Sequence, residues 1–404
     1  MRILFLSQRF LLPMDTGGKI RTGNLLAQLS QRHEITLVSN YEAAKDAPYL
    51  DGMARLCARF VPVPWTETRR YSLRFFARLA LQLLSRYPVN ALNDYSRPLE
   101  RALLDELANA NFDVLICDFV QSALLFHAVT GAARVLFQHN VESMIPERHM
   151  RSAGNPAMRL FWWLQWRKLL RFEAAECRSF DTVIAVSDGD RRTFEKLYAL
   201  RNLAVIPTGT DIDHFRPQPE VAEAENDLVF CGSMDWLPNE DGVAYFLDEI
   251  LPLIKTRRAA VRLTVVGRNP SPRLCRLVAE RDDVTLTGWV EDTRPHLAAA
   301  ALCIVPLRIG GGTRMKIYEA MAMGKVVVST SIGAEGLEVS DGTNIVLADR
   351  PEDFAARCVE LLADASRRHA IARAARTLVE ERFSWSRVAD EFERICANAA
   401  ANNP

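Results

Sequence analysis

The stretch GGGTRMKIYEAMAMGK runs from Gly310 to Lys325 and follows an apolar run, Ala301 to Leu307, that predicts a buried strand. A strand, a glycine-rich turn and a helix start in that order present unpaired backbone N–H groups and the positive end of a helix dipole to a phosphate. Arg314 and Lys316 add fixed charge beside the turn, and Glu319 lies about one helical turn further on. Together they predict a diphosphate held by Gly310, Gly311, Gly312, Thr313 and the two cations, with Glu319 gripping a neighbouring hydroxyl-rich group. A nucleotide-sugar carries those parts in that order. Competing phosphate motifs do not fit. A Walker loop starting at Gly18 would put Asn24 where its lysine belongs, and a dinucleotide fingerprint here would have Met315 in place of its last glycine.

Outward from that stretch, short β-rich runs alternate with helical patterns, which argues for an α/β chain with parallel sheets covered on both faces. Strands are expected at Arg2–Ser7, Ile35–Ser39, Phe60–Val63, Val114–Cys117, Arg134–Gln138 and Thr182–Val186. A second series is expected at Leu228–Cys231, Arg262–Val266, Val284–Leu286, Ala301–Val305, Val326–Ser329 and Asn344–Leu347. Val205 to Pro219, rich in turn formers, reads as a linker. The expectation is two α/β domains, 1–204 and 205–384, facing each other across a cleft, with a last helix at about 385–400 crossing back to the first. Ligands of open parallel sheets collect at the carboxyl ends of the strands.

At 404 residues the chain is long enough for two or three cores. With 50 basic and 50 acidic residues it lacks the electrostatic footprint of a nucleic-acid binder. Its eight cysteines are scattered, which signals neither a zinc site nor a disulfide framework and reads as reduced core thiols in a cytoplasmic protein. MRILFLSQRF turns polar too soon for a signal peptide, and no apolar run of about 18 residues predicts a membrane span. Residues 71–88 and 159–172 interleave arginines with phenylalanines and tryptophans. That pattern suits either a peripheral membrane contact or surface helices packing their aromatics on a sheet.

Three further features bear on chemistry. Gly17-Gly18, after the first strand, predicts a loop that lets backbone approach a ligand closely, or else a plain strand-to-helix turn. His139, in Gln138-His-Asn-Val-Glu142, stands at a strand end beside polar residues, which predicts a place in a cleft, or else the part of a structural hydrogen-bonder that a lone histidine often plays. Two D-x-D strings, Asp188/Asp190 and Asp211/Asp213, read as helix-cap and linker residues rather than metal ligands, and no metal or other cofactor is expected.

These residues together resemble the GT-B glycosyltransferases, specifically the retaining group called family 4, and within it the sugar transferases of bacterial exopolysaccharide clusters. The resemblance covers nearly the whole chain: the Gly17-Gly18 turn, HNVE at His139 to Glu142, AVSDGD at Ala185 to Asp190, VIPTGTDIDHF, VFCGS, VVGRN, LTGWVED and YEAMAMGKVVVSTSIGAEGLEV. It implies two Rossmann-like domains, the first taking the acceptor, a lipid-linked or growing polysaccharide, and the second the nucleotide-sugar donor.

Under that resemblance Glu319 matches the second glutamate of an E-x7-E motif and holds the donor ribose, while Gly311 stands where the first glutamate is missing. Gly288, Trp289 and Val290 match the place where relatives bind the base. Relatives carry an arginine and a lysine within the region equivalent to Gly232–Glu240; here Ser233, Met234, Asn239 and Glu240 stand instead, so Arg314 and Lys316 are expected to supply the charge. Arg314, Lys316 and His139 are then the candidate catalytic residues, with His139 orienting the sugar. Retention, a metal-free route and a location at the inner face of the membrane are further implications. A nucleotide-sugar 2-epimerase of the same fold and a catalytically silent sugar- or nucleotide-binding partner are the rival readings.

Overall fold

A computed structural model of the chain describes residues 1–66, 72–309 and 314–402. The chain divides into two compact units, Met1–Pro207 with Val388–Pro404, and Thr208–Arg387.

Seven strands build the sheet of the first unit: β1 (Arg2–Ser7), β2 (Glu34–Tyr41), β3 (Arg59–Pro64), β4 (Val114–Asp118), β5 (Ala133–Phe137), β6 (Thr182–Ala185) and β7 (Leu203–Val205). Their order is β3-β2-β1-β4-β5-β6-β7, and every pair is parallel. The central strands are apolar through most of their length, as burial on both faces requires, with Ser7 and Asp118 closing β1 and β4 at their carboxyl ends. Strand β7 falls across the start of the expected linker: it is three half-buried residues at the sheet edge, too short to show a period. The last helix, Trp385–Ala401, delivers Phe392 edge-on to Phe137, with ring centroids 5.4 Å apart. Its Asp390 and Glu393 pair with Arg32 at 2.7 and 2.9 Å.

The second unit holds β8 (Ala224–Cys231), β9 (Arg262–Val266), β10 (Val284–Gly288), β11 (Ala300–Val305), β12 (Val326–Ser329) and β13 (Val346–Leu347). Again all pairs are parallel, in the order β10-β9-β8-β11-β12-β13. Strand order reverses direction between β1 and β4 in one sheet and between β8 and β11 in the other. Helices leaving the two strands of such a pair diverge to opposite faces, and a crevice opens at the carboxyl ends. Each unit thus has one such position, and the polar residues that matter gather there. All eight cysteines are free, and only Cys275 is exposed.

Candidate functional site

In the second unit, β8 leads through Gly232 into helix Leu237–Tyr245, and β11 leads toward helix Met315–Ala322. Lys316, in the first turn of the latter helix, crosses back to the end of β8. Its ammonium donates to Asn239 Oδ1 at 2.7 Å and lies 4.2 Å from the Phe230 ring centroid. Asn239 is held in turn by donating from Nδ2 to the Ser233 carbonyl at 2.8 Å. A Cβ on Gly232 would stand 2.6 Å from Lys316 Nζ and 2.8 Å from Asn239 Nδ2, so any larger residue there would push the Lys316–Asn239 pair aside. The Lys316 cation thus sits against the Gly232–Glu240 region.

Electrostatics there are strongly perturbed. Burial pushes Lys316 down from its ordinary 10.5 to about 8. Glu319, on the same helix, is pushed up by burial to about 7, with Lys316 pulling the other way. Both groups therefore change charge near neutrality, as groups at functional sites often do. Arg314, at the helix entrance, is buried; it donates to the Ile332 carbonyl at 3.0 Å and approaches Glu335 at 3.9 Å. Burial lowers its pKa. Gly288 ends β10 with a φ of +69°, a conformation that favours glycine, and its carbonyl accepts from the Gly267 N–H at 3.2 Å. Beside it Trp289 is 73% exposed, and Val290 packs on the core edge. Gly310, Gly311, Gly312 and Thr313 lie outside the described residues.

In the first unit the structure places Gly17 and Gly18 in the first turn of helix Gly17–Leu29 rather than in a loop. Neither has a positive φ among the described glycines. What Gly18 provides is room: a Cβ would lie 2.8 Å from Phe119 Cζ. Phe119 has a φ of +66°, unusual for a bulky residue, and stacks on His139 with ring centroids 4.0 Å apart and planes 15° apart.

His139 is only 3% exposed and both its nitrogens are engaged. Arg21 Nη1 meets Nδ1 at 3.0 Å, and Nε2 meets Asp118 Oδ1 at 2.7 Å. Arginine only donates, so Nδ1 accepts and Nε2 carries the proton that goes to Asp118. Burial lowers the His139 pKa against the opposing pull of Asp118, which keeps the ring neutral. Asp118 also accepts from Ser7 Oγ at 3.0 Å and Thr22 Oγ1 at 3.2 Å.

Behind this network lies a carboxylate pair. Glu173 accepts from the backbone N–H groups of Glu142 and Ser143 at 2.9 and 3.0 Å and from Tyr198 at 2.6 Å. Burial and the nearby Glu173 push Glu142 up to about 7. Asp118, Arg21, Phe119, Glu142 and Glu173 were not picked out as functional by the sequence. Their signals were present but faint: an acid closing the otherwise apolar strand VLICD, and a glutamate inside HNVE.

The D-x-D residues make local bonds: Asp188 Oδ1 accepts from Arg191 Nε at 3.0 Å. Ser187 accepts from the Asp190 N–H at 3.0 Å and donates to Asp190 Oδ2 at 2.8 Å, a helix cap. Asp211 Oδ1 accepts from the N–H groups of Asp213 and His214.

Residues 16–214 match the family described as Glycosyltransferase Family 4, and residues 225–364 match the family described as Glycosyl transferases group 1. Among curated relatives, a Klebsiella pneumoniae protein known as an uncharacterized 44.6 kDa protein in the cps region is 21% identical over 387 residues, 93% of this chain and 95% of its own length. A Mycobacterium tuberculosis GDP-mannose-dependent alpha-(1-6)-phosphatidylinositol monomannoside mannosyltransferase is 31% identical over 232 residues, 52% of this chain and 60% of its own length. Among solved structures, Anabaena Alr3699/HepE in complex with UDP superposes with a TM-score of 0.69 at 16% identity, covering 98% of this chain and 100% of its own. Sucrose-phosphate synthase from Thermosynechococcus elongatus gives 0.70 at 17% identity, covering 100% of both chains.

Proposed function

Because the chain belongs to the group 1, family 4 glycosyltransferases of GT-B fold, we propose that it moves a hexose from a nucleotide-sugar to a lipid-linked or growing polysaccharide acceptor. The reading includes retention at the anomeric carbon, no metal, and a place in exopolysaccharide assembly at the cytoplasmic face of the membrane. Its first support is the Lys316 ammonium, seated in the niche that Gly232 leaves open at the strand-order reversal of the second unit.

Breaking the anomeric C–O bond puts positive charge on the sugar and negative charge on the departing diphosphate. A preorganised cation at the leaving group stabilises the second without reorganising as the bond breaks. Lys316 is assigned that task, assisted by Arg314 and by the start of helix Met315–Ala322. Glu319 binds the ribose hydroxyls, and Gly288 to Val290 flank the base. With no metal, the leaving phosphate itself receives the acceptor's proton.

His139 is assigned a positioning role. Its nitrogens are committed to Arg21 and Asp118, so it neither donates nor takes a proton in the reaction; it holds the Phe119 ring against the Gly17-Gly18 helix start. That places the sugar-facing surface of the first unit by packing rather than by a free imidazole.

A panel of nucleotide-sugars, each incubated with a lipid-linked acceptor pool and analysed by mass spectrometry, tests the reading. One donor should give a product one hexose heavier, and the anomeric coupling of that product should match the donor's. Binding of UDP or GDP without turnover of any donor would replace the reading with a silent binding partner, and an inverted product would remove retention.

A further inference from the structure

We infer that helices Leu73–Leu84 and Pro156–Ser179 of the first unit form a docking surface for an anionic lipid bilayer. The inference rests on the functional reading only for placing the chain near a membrane.

Helix Leu73–Leu84 turns apolar side chains outward. Phe76, Leu81 and Leu84 are 52%, 72% and 86% exposed, with the small Ala77 and Ala80 exposed between them. Positions 76, 77, 80, 81 and 84 repeat at the helical period, so they make one continuous stripe. Gln82, by contrast, is buried. An ordinary surface helix does the opposite, hiding its apolar stripe and showing its polar one. Helix Pro156–Ser179 adds exposed Leu160, Trp163 and Leu164. The two helices are tied together, since Lys168 donates to the Leu83 carbonyl at 2.8 Å, and Gln165 accepts at 2.9 Å from the N–H of Val89, just beyond the first helix.

Charge decides between possible occupants. Residues 76–86 and 156–171 contain Arg78, Arg86, Arg159, Arg167, Lys168 and Arg171 and no acidic residue, in a chain whose formal net charge is zero. Arg167 lies 5.7 Å from the Trp163 ring centroid, and Arg171 is exposed one turn on. Apolar side chains flanked by cations match an acyl boundary beneath anionic headgroups. A second copy docked through the same face would bring like charges together, because a two-fold contact is self-complementary.

The test is co-sedimentation of the full chain with phosphatidylcholine vesicles and with vesicles containing about 30% phosphatidylglycerol. The wild type should partition onto the anionic vesicles, weakly onto the neutral ones, and less as salt rises. Arg167→Gln with Arg171→Gln should weaken partition roughly tenfold or more. Leu81→Glu with Leu84→Glu should weaken it at least as much, with an unchanged unfolding midpoint because both side chains are exposed. Equal partition onto neutral vesicles, no partition, or partition indifferent to both pairs overturns the inference. So does a micromolar dimer in light scattering that the Leu81/Leu84 pair breaks. Vesicle binding without sugar transfer would sink the functional reading and leave this surface; transfer without vesicle binding would do the reverse.

Discussion

Replacing Lys316 with methionine separates what this side chain does for the fold from what it does for the reaction. Burial moves its pKa from 10.5 to about 8, which corresponds to a bias of about 3 kcal/mol against the charged form. The folded value lies below the unfolded one, so the charged lysine burdens the fold below pH 8. That burden is relieved between about 8 and 10.5, as the folded form gives up its proton first. Methionine removes the burden but forfeits the bond to Asn239, worth about 1.5–3 kcal/mol, and the contact with Phe230, worth about 0.5–1 kcal/mol. These terms nearly cancel, and the unfolding midpoint should move by no more than about 3 °C.

Turnover should behave otherwise. A preorganised charge at a leaving group contributes about 2–4 kcal/mol, so kcat should fall roughly 30- to 1000-fold. Release of nucleoside diphosphate, followed continuously, reads this directly. In the wild type kcat/KM should decline as pH rises through about 8, where free Lys316 loses its proton. In Lys316→Arg that alkaline limb should vanish. Turnover within threefold of wild type in Lys316→Met, or an alkaline limb untouched in Lys316→Arg, refutes the reasoning.

Other substitutions test neighbouring parts of the account. Gly18→Ala should destabilise by about 1–3 kcal/mol, because its Cβ meets Phe119 at 2.8 Å; Gly17→Ala, with nothing within 4 Å, should be neutral or gain up to about 1 kcal/mol. Thermal denaturation of the pair checks both signs. Asp118→Ala strands the His139 N–H and two hydroxyls in the core and should cost about 3–5 kcal/mol in urea unfolding. Glu319→Gln should weaken donor binding in calorimetry. It should also remove the acid limb that a carboxyl titrating at about 7 gives wild-type kcat/KM, which rises with pH as that group ionises.

Much of the architecture was legible because strands buried on both faces read as nearly continuous apolar runs. Arg2–Ser7, Arg262–Val266 and Val326–Ser329 have the bounds their sequence predicts. Leu203–Val205 escaped notice because three half-buried residues before a proline carry no pattern. The start of the helix at Gly17 is not legible, since two glycines disfavour helix locally; in the structure Gly18 fits against Phe119 and Asp15 pairs with Lys19 at 3.2 Å across that start.

At the candidate site, Lys316 and Glu319 could be picked out because they follow a strand and a glycine turn in one local run. The partner of Lys316, Asn239, stood only as a missing charge, because a contact between residues 77 positions apart leaves no periodic trace. The same holds for His139. Its place at a strand end was readable, but Arg21 and Asp118, which fill both of its nitrogens, come from other elements 118 and 21 residues away.

The most direct measurement is a crystal structure of the chain with an intact nucleotide-sugar. A diphosphate oxygen within about 3 Å of Lys316 Nζ, in the niche beside Gly232, is the predicted result. A diphosphate bound elsewhere, with the ammonium still donating to Asn239 alone, would contradict the account.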